Sequence, residues 1–173
     1  HCRLRRQRQM CIRDRGALAQ CTVLHLDENN IGDKGLEALS GALGKGALTK
    51  CQTLYLSQNR IGDAGISAFA AACDGEALAR CTTLDLHFNE IRDAGITALA
   101  KAIKPISEGG RGALANCQQL DLSENRFGNQ WLQAFSDALA IGALASLKSL
   151  WNDRLSEQLQ AHCSSKGIKL NEF

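Results

Sequence analysis

Aromatic residues, proline and long apolar runs are all scarce in this chain of 173 residues. Aromatic side chains make up 5% of the residues and there is one proline, although 45% of residues are hydrophobic. The interior must therefore be built from leucine, alanine and isoleucine. No apolar run approaches the ~18 residues that a membrane-spanning helix needs, and no signal-peptide pattern is visible. The composition indicates one domain, or part of a repeat array, with a continuous apolar core.

Positive charge is concentrated at the start of the chain. Residues 1–15, HCRLRRQRQMCIRDR, contain six Arg and one Asp, which gives this segment a charge of +5. Because the net charge of the whole chain is +2, residues 16–173 carry a net charge of −3. Such a run is typical of a nucleic-acid-binding arm. The letters MCIRDR instead resemble a translated sequencing adapter, so we expect residues 1–15 to be a non-native or disordered basic head outside the fold. The initial His indicates a fragment of a longer protein.

The remainder of the chain repeats one pattern, C-x-x-L-x-L-x-x-N-x-I. Four copies start, at spacings of 30, 30 and 36 residues, at Cys21, Cys51, Cys81 and Cys117. Leu147 takes the Cys position in a degenerate fifth copy. We place the repeats at residues 16–45, 46–75, 76–111, 112–141 and 142–152. Residues 153–173 are expected to form a C-terminal cap with a helix and a further strand, and residues 104–112 a longer surface loop.

Each copy predicts a strand, a turn, a helix and a return. The L-x-L letters alternate with period two, which is typical of a short strand with both leucines on one face. After the Asn, apolar residues recur at helical spacing, as at Leu36, Leu39 and Leu43. We expect the N-terminal caps of these helices to be Asp33, Asp63, Asp93 and Asn129. One unit cannot bury its apolar face alone, so stacked copies should share a core beneath five or six parallel strands.

The expected fold is an α/β right-handed solenoid. Strands lie ~4.8 Å apart in a sheet, whereas helix axes need ~8–10 Å, so the stack must curve with its strands on the inside. The copies resemble leucine-rich repeats of the ribonuclease-inhibitor type, which occur in NOD-like receptors and Ran GTPase-activating proteins. This resemblance implies parallel strands on the concave face and helices on the convex face. It also implies a structural Asn in each turn, at Asn29, Asn59, Asn89 and Asn125.

The eight cysteines raise the possibility of disulfides or a metal site. No C-x-x-C pair is present, and Leu147 replaces the repeated Cys, which indicates small buried apolar side chains. Reduced cysteines indicate a reducing compartment, so we expect a cytoplasmic protein. The letters GALGKGALT at residues 41–49 depart from the spacing of a phosphate-binding loop. Nothing in the sequence assembles a nucleophile, a base and an orienting group, so we expect no enzyme, catalytic residue, metal or cofactor.

The strand letters that are not leucine are expected to face the open concave surface, where they can vary without disturbing the core. Exposed aromatics among polar residues are typical of protein interfaces. The sequence therefore predicts a protein-binding site at His25, Asp27, Tyr55, Ser57, Asp85, His87, Phe88, Asp121 and Trp151. The same columns contain Glu28, Gln58, Ser123 and Glu124.

The predicted function is a monomeric, non-enzymatic module that binds a protein partner. The acidic members of the site argue against nucleic acid, whose phosphates require a basic groove, and we expect no membrane contact. Two alternatives share the fold: a GTPase-activating protein of the Ran-regulator type and the sensor domain of a NOD-like receptor. The fold alone does not choose between these functions.

Overall fold

A computed structural model of the chain describes residues 2–3, 18–73, 77–104, 112–152 and 157–171. Most of the basic head and most of the expected surface loop, residues 105–111, lie outside this part. In chain order the elements are β1 (Cys2–Arg3), β2 (Val23–His25), α1 (Asp33–Leu43), β3 (Thr53–Tyr55), α2 (Asp63–Ala72), β4 (Thr83–Asp85), α3 (Asp93–Ala102), β5 (Gln119–Asp121), α4 (Gln130–Ala140), β6 (Ser149–Trp151), α5 (Glu157–Lys166) and β7 (Lys169–Asn171).

The strands form one open parallel sheet in which spatial order follows chain order. Its register aligns one leucine from each of six consecutive strands: Leu24, Leu54, Leu84, Leu120, Leu150 and Leu170. The sheet has seven strands rather than the five or six expected, because β1 pairs with β2. These two residues of β1 belong to the basic head, residues 1–15, for which the expectation of a non-native or disordered segment stays a prediction.

The core lies between the sheet and the helices, each of which buries one face. Helix α2 contributes Ile66 and Phe69, both with 0% exposure. Helix α4 contributes Trp131, whose ring makes edge-on contacts with Phe127 and Phe135 at centroid distances of 5.1 and 5.2 Å. Every repeat adds one strand to the sheet and one helix to the layer that packs against it. The apolar interior between the two layers therefore runs continuously along the stack. The fold is the expected right-handed α/β solenoid, with strands on the concave face.

The expected helix caps are wrong for the three aspartates, and the structure shows a different use for two of them. Asp33 and Asp63 are the first residues of α1 and α2, and the preceding Gly32 and Gly62 make no side-chain cap bond. Asp33 Oδ1 instead accepts hydrogen bonds from the N–H groups of Gly62 and Gly65, at 2.7 and 2.9 Å. Helix N-termini carry unpaired N–H groups and a partial positive charge. Each of these aspartates therefore caps the helix of the next repeat.

The fourth repeat interrupts this series of contacts. A Cβ atom placed on Gly65 would lie 2.7 Å from Asp33 Oδ1, so the close approach requires a glycine at that position. The fourth repeat has Trp131 instead, and Asp93 Oδ1 is buried without a hydrogen-bond partner in the described part of the chain. Asn129 precedes helix α4 as expected, but its side chain forms no cap bond. The junction between the third and fourth repeats thus lacks the hydrogen bonds that Asp33 and Asp63 make to the following helix, although the Asp93 carboxylate still lies near Gly128.

The repeated cysteines lie in the core. Cys51, Cys81 and Cys117 have 0% exposure, and none of the six cysteines whose side chains are described forms a disulfide. The Cys51 and Cys117 thiols each donate to the carbonyl oxygen two residues ahead, at 3.2 Å. Burial raises the pKa of Cys117 to about 12, despite opposing backbone hydrogen bonds. Small size, apolar surroundings and one weak hydrogen bond explain why cysteine suits this column.

Candidate partner-binding face

The concave face is formed by the residues on either side of each strand leucine. In β3, Leu54 has 0% exposure, whereas Thr53 and Tyr55 are half-buried. Because side chains alternate along a strand, each strand supplies two positions to this face. One row is the predicted one, His25, Tyr55, Asp85, Asp121 and Trp151.

A second row on the same face was missed by the sequence analysis. It consists of Val23, Thr53, Thr83, Gln119 and Ser149. These residues are half-buried or exposed. The signal that could have found them was available, because in a strand the residues before and after a buried leucine point to the same side.

An aromatic pair lies at one end of the predicted row. The rings of His25 and Tyr55 are stacked, with centroids 4.7 Å apart and an angle of 22° between planes. His25 Nδ1 also lies 3.2 Å from Asp27 Oδ1. Trp151 is three strands away from Tyr55, about 14 Å at the usual strand spacing. The structure therefore brings His25, Asp27 and Tyr55 together and leaves Trp151 at the far end of the row.

The middle of the row carries two ordered carboxylates. Asp85 Oδ1 accepts a hydrogen bond from the His87 backbone N–H at 2.9 Å. Asp121 Oδ1 accepts from the Ser123 backbone N–H at 3.0 Å and from the Ser123 hydroxyl. The strand register places Asp85 directly beside Asp121. Burial raises the pKa of the Asp85 carboxyl, and the Asp121 carboxylate adds to the rise, while the His87 N–H and the Ser57 hydroxyl oppose it.

The column containing Ser57 and Ser123 is only partly exposed, which corrects the expectation for it. Ser57 has 7% exposure and Ser123 has 0%, so these hydroxyls offer little surface to a partner. His87 is half-buried, and its Nδ1 lies 2.9 Å from Ser123 Oγ. A Ser, a His and an Asp thus meet here, but the buried Ser123 hydroxyl is not open to a substrate. The two serines support the neighbouring carboxylates instead.

A row of turns follows the strands. Four residues at equivalent positions adopt left-handed backbone conformations, with φ between 51° and 55°: Glu28, Gln58, Phe88 and Glu124. Neighbouring turns are joined by backbone hydrogen bonds, including Gln58 N–H to His87 O at 2.9 Å and Phe88 N–H to Ser123 O at 3.0 Å. Phe88 therefore lies between Gln58 and Glu124. Its side chain is 56% exposed, which is unusual for a large apolar residue.

The asparagine column holds these turns in place from below. Asn89 Nδ2 donates to the carbonyls of Leu86 and His87 in its own turn and of Leu56 in the preceding repeat. Asn89 Oδ1 accepts from Ile61 N–H at 3.1 Å. Asn59 and Asn125 make the equivalent contacts to their preceding repeats, whereas Asn29 Nδ2 donates to the Leu26 and Asp27 carbonyls within its own turn. The turn that presents Phe88 is thus fixed by buried hydrogen bonds.

Other kinds of site have no support in the described part of the chain. Among those residues, no group of three or more His, Cys, Asp or Glu side chains is arranged to hold a metal ion. None of the helices described is both long enough and apolar enough to cross a bilayer.

A family comparison and one solved structure agree with this architecture. The family described as Leucine Rich repeat matches residues 22–40, 49–70 and 82–100 of the chain. Among solved structures, the chain is similar to leiomodin-1 actin-binding site 2, with a TM-score of 0.67 and 17% sequence identity, covering 86% of this chain and 80% of that one. An internalin of Listeria monocytogenes aligns with a TM-score of 0.43 and 20% identity, covering 92% of this chain and 48% of that one. No curated protein matches the chain in sequence.

Proposed function

We propose that this chain is a non-enzymatic interaction module that binds a protein partner on its concave face. The observation that carries the proposal is the alternation in the strands. Each leucine is buried in the core, while its two neighbours are left partly exposed and aligned in rows across consecutive repeats. Such rows of variable side chains on a rigid frame are typical of solenoid binding surfaces.

The exposed aromatic residues support a protein as the partner. Phe88 and the His25–Tyr55 stack lie among polar side chains, and aromatic residues of this kind anchor many protein interfaces. Leiomodin-1, which has the same fold, is described as binding actin through the similar segment. Carboxylates along the face disfavour nucleic acid.

Two further parts of the proposal concern subtype and location. The repeats carry helices of 10 or 11 residues, which favours the ribonuclease-inhibitor type, where each repeat has a strand and a full helix. The buried thiols, which form no disulfide among the described cysteines, favour a reducing compartment such as the cytoplasm. We propose that the module is a monomer there.

Site-specific photo-crosslinking tests the proposal. A photo-reactive amino acid is introduced at Thr53 on the concave face or at Lys101 on the exposed surface of helix α3, and each variant is irradiated in cell extract. We expect a protein adduct from Thr53 and none of the same mass from Lys101. With the purified partner, the double variant Tyr55→Ala, Phe88→Ala should bind more weakly by about 2 kcal/mol, or roughly 30-fold.

Two results would contradict the proposed function. One is an adduct formed from Lys101 and not from Thr53. The other is a purified partner whose affinity for the Tyr55→Ala, Phe88→Ala variant equals its affinity for the parent, when both proteins unfold at the same temperature.

A further inference from the structure

Charge is distributed unevenly over the concave face. Among residues 23–28, 53–58, 83–88 and 119–124, which form the first four complete strands and their turns, there is no Lys or Arg, although the chain contains 20 of them. The same segments carry five carboxylates: Asp27, Glu28, Asp85, Asp121 and Glu124. In these repeats basic residues begin beyond the turns, at Arg60 and Arg126, and Arg126 pairs with Glu90 at 3.3 Å. Elsewhere in the sheet, basic residues lie only in the first and last strands, where Arg3 is registered beside His25 and Lys169 beside Ser149.

The exposed apolar side chain of Phe88 lies in the part of the face that carries these carboxylates. Asp85 and Asp121 are neighbours in the strand register, and Phe88 follows Asp85 in the same repeat. The backbone bond from Phe88 N–H to Ser123 O brings the Phe88 turn against the turn that carries Glu124. We call Asp85, Phe88, Asp121 and Glu124 together the central surface. It combines an apolar ring with carboxylates on the sheet side and on the turn side.

The two strand carboxylates are already fixed before any partner arrives. One oxygen of Asp85 accepts the His87 N–H, and one oxygen of Asp121 accepts both donors of Ser123. Side chains that are already ordered lose little conformational freedom when they bind. A positive charge placed beside them would also relieve the repulsion between neighbouring carboxylates and favour their ionised forms.

From this arrangement we infer that the central surface receives a basic segment of the partner protein, in which a Lys or Arg pairs with Asp85 and Asp121 and an adjacent apolar side chain packs on Phe88. The inference rests on the proposed function and narrows it to one partner chemistry. Complementary charge sets partner choice and the rate of encounter, and like charge excludes acidic partners.

Defined peptides test this inference without knowledge of the natural partner. The probe is a short fluorescein-labelled peptide in which lysine and leucine alternate, compared with the same peptide carrying glutamate in place of lysine. Fluorescence polarisation should show binding of the lysine peptide and at least ~10-fold weaker binding of the glutamate peptide. Raising the ionic strength should weaken the lysine peptide's binding, because exposed charges are screened.

Matched variants locate the binding. Asp85→Asn with Asp121→Asn should lower the affinity for the lysine peptide by ~10-fold or more, since close charge pairs at interfaces are lost. Glu37→Gln with Asp137→Asn makes the same change in net charge on the exposed helical surface and should alter the affinity by less than ~2-fold. Phe88→Ala, at an exposed position, should weaken binding without unfolding the protein, so it tests the surface if the aspartate variants fold poorly.

The outcomes separate this inference from the proposed function. Equal binding of the two peptides, or equal affinity of the Asp85→Asn, Asp121→Asn variant and its control, overturns the basic-segment inference. If a crosslinked partner requires Tyr55 and Phe88 but contacts the face through a neutral or acidic segment, the face binds protein and the inference about charge is wrong. If the affinity of the partner is unchanged when Tyr55 and Phe88 are replaced, the proposed function itself is refuted.

Discussion

Asp85 illustrates how neighbours on the concave face set the properties of one side chain. Its carboxyl is half-buried beside Asp121, and burial raises its pKa above the ordinary value. The His87 N–H and the Ser57 hydroxyl favour the ionised form without cancelling the rise. Because these surroundings disfavour the ionised carboxyl, the charge of Asp85 lowers the stability of the folded state. Residues that lower stability where a surface is exposed often serve binding, which is consistent with the central surface.

Replacing Asp85 by Asn should therefore stabilise the protein at neutral pH. A raised pKa in the folded state means that Asp85 favours folding below its unfolded pKa and that this contribution is lost as pH rises through the folded pKa. Asn keeps the acceptor for His87 N–H but carries no charge. We expect Asp85→Asn to gain about 0.5 kcal/mol at pH 7, a small value because water screens a half-exposed group. The gain should vanish near pH 3.

Urea unfolding at several pH values measures this difference directly. Glu37→Gln, at an exposed position on α1, serves as the control and should show no comparable dependence on pH. A loss of stability in Asp85→Asn at pH 7 would mean that the charge of Asp85 supports the fold, contrary to its environment.

At the scale of elements, the aspartate contacts connect each helix to the next. Asp63 Oδ1 accepts hydrogen bonds from the N–H groups of Arg92 and Gly95 at the start of α3, at 2.8 and 2.9 Å. Asp93 begins α3 with the same local letters, DAGI, yet its Oδ1 is buried without a partner in the described residues. In the repeat that follows Asp93, Trp131 occupies the position of Gly65 and Gly95.

These two aspartates form a matched pair for mutation. Asp63→Ala should cost about 1 kcal/mol of unfolding free energy, the usual effect of removing a side-chain cap, because two N–H groups of α3 lose their acceptor. Asp93→Ala should cost clearly less, because no such bond is removed. Chemical denaturation of both variants gives the comparison. Equal losses would show that the inter-repeat bond contributes nothing beyond the charge at the helix start.

At the scale of the whole molecule, one core encloses the thiols of several repeats. Burial raises the pKa of Cys73 to about 12 and that of Cys163 to about 11, and it raises the pKa of Cys81 with smaller contributions from Cys117 and Cys51. Thiolates are the reactive form of cysteine, so thiols with raised pKa inside a packed core react slowly. Their protection therefore reports on the packing of the entire stack.

Alkylation followed by peptide mass spectrometry tests this property. At mildly alkaline pH, iodoacetamide should leave Cys51, Cys73, Cys81 and Cys117 unmodified in the folded protein and modify them in denaturant without any reductant. Ser164→Cys, at an exposed position in α5, provides an accessible thiol as control. Disulfide-linked peptides among these cysteines would contradict both the reduced core and the proposed cytoplasmic location.

Local periodicity was enough to predict the frame of the protein. The L-x-L letters at Leu54 and Leu56 predict the strand β3, and the spacing of Ile66, Phe69 and Cys73 predicts the helix α2. Both patterns can be recognised locally because they depend only on residues that are close together in the sequence. The repetition of these letters then predicted stacking, since a single unit leaves its apolar face uncovered. The row containing Tyr55 and Asp85 followed from the same alternation.

Other features depend on residues that are distant in the sequence, and only the folded stack decides them. Asp33 meets its partners Gly62 and Gly65 in the following repeat, so its local position before a helix suggested the wrong role. The alternation around β3 predicts that Ser57, two residues after the strand, is exposed, but in the folded stack it is buried. Periodicity reports which way a side chain points, whereas contacts between repeats determine whether it is covered and what it binds.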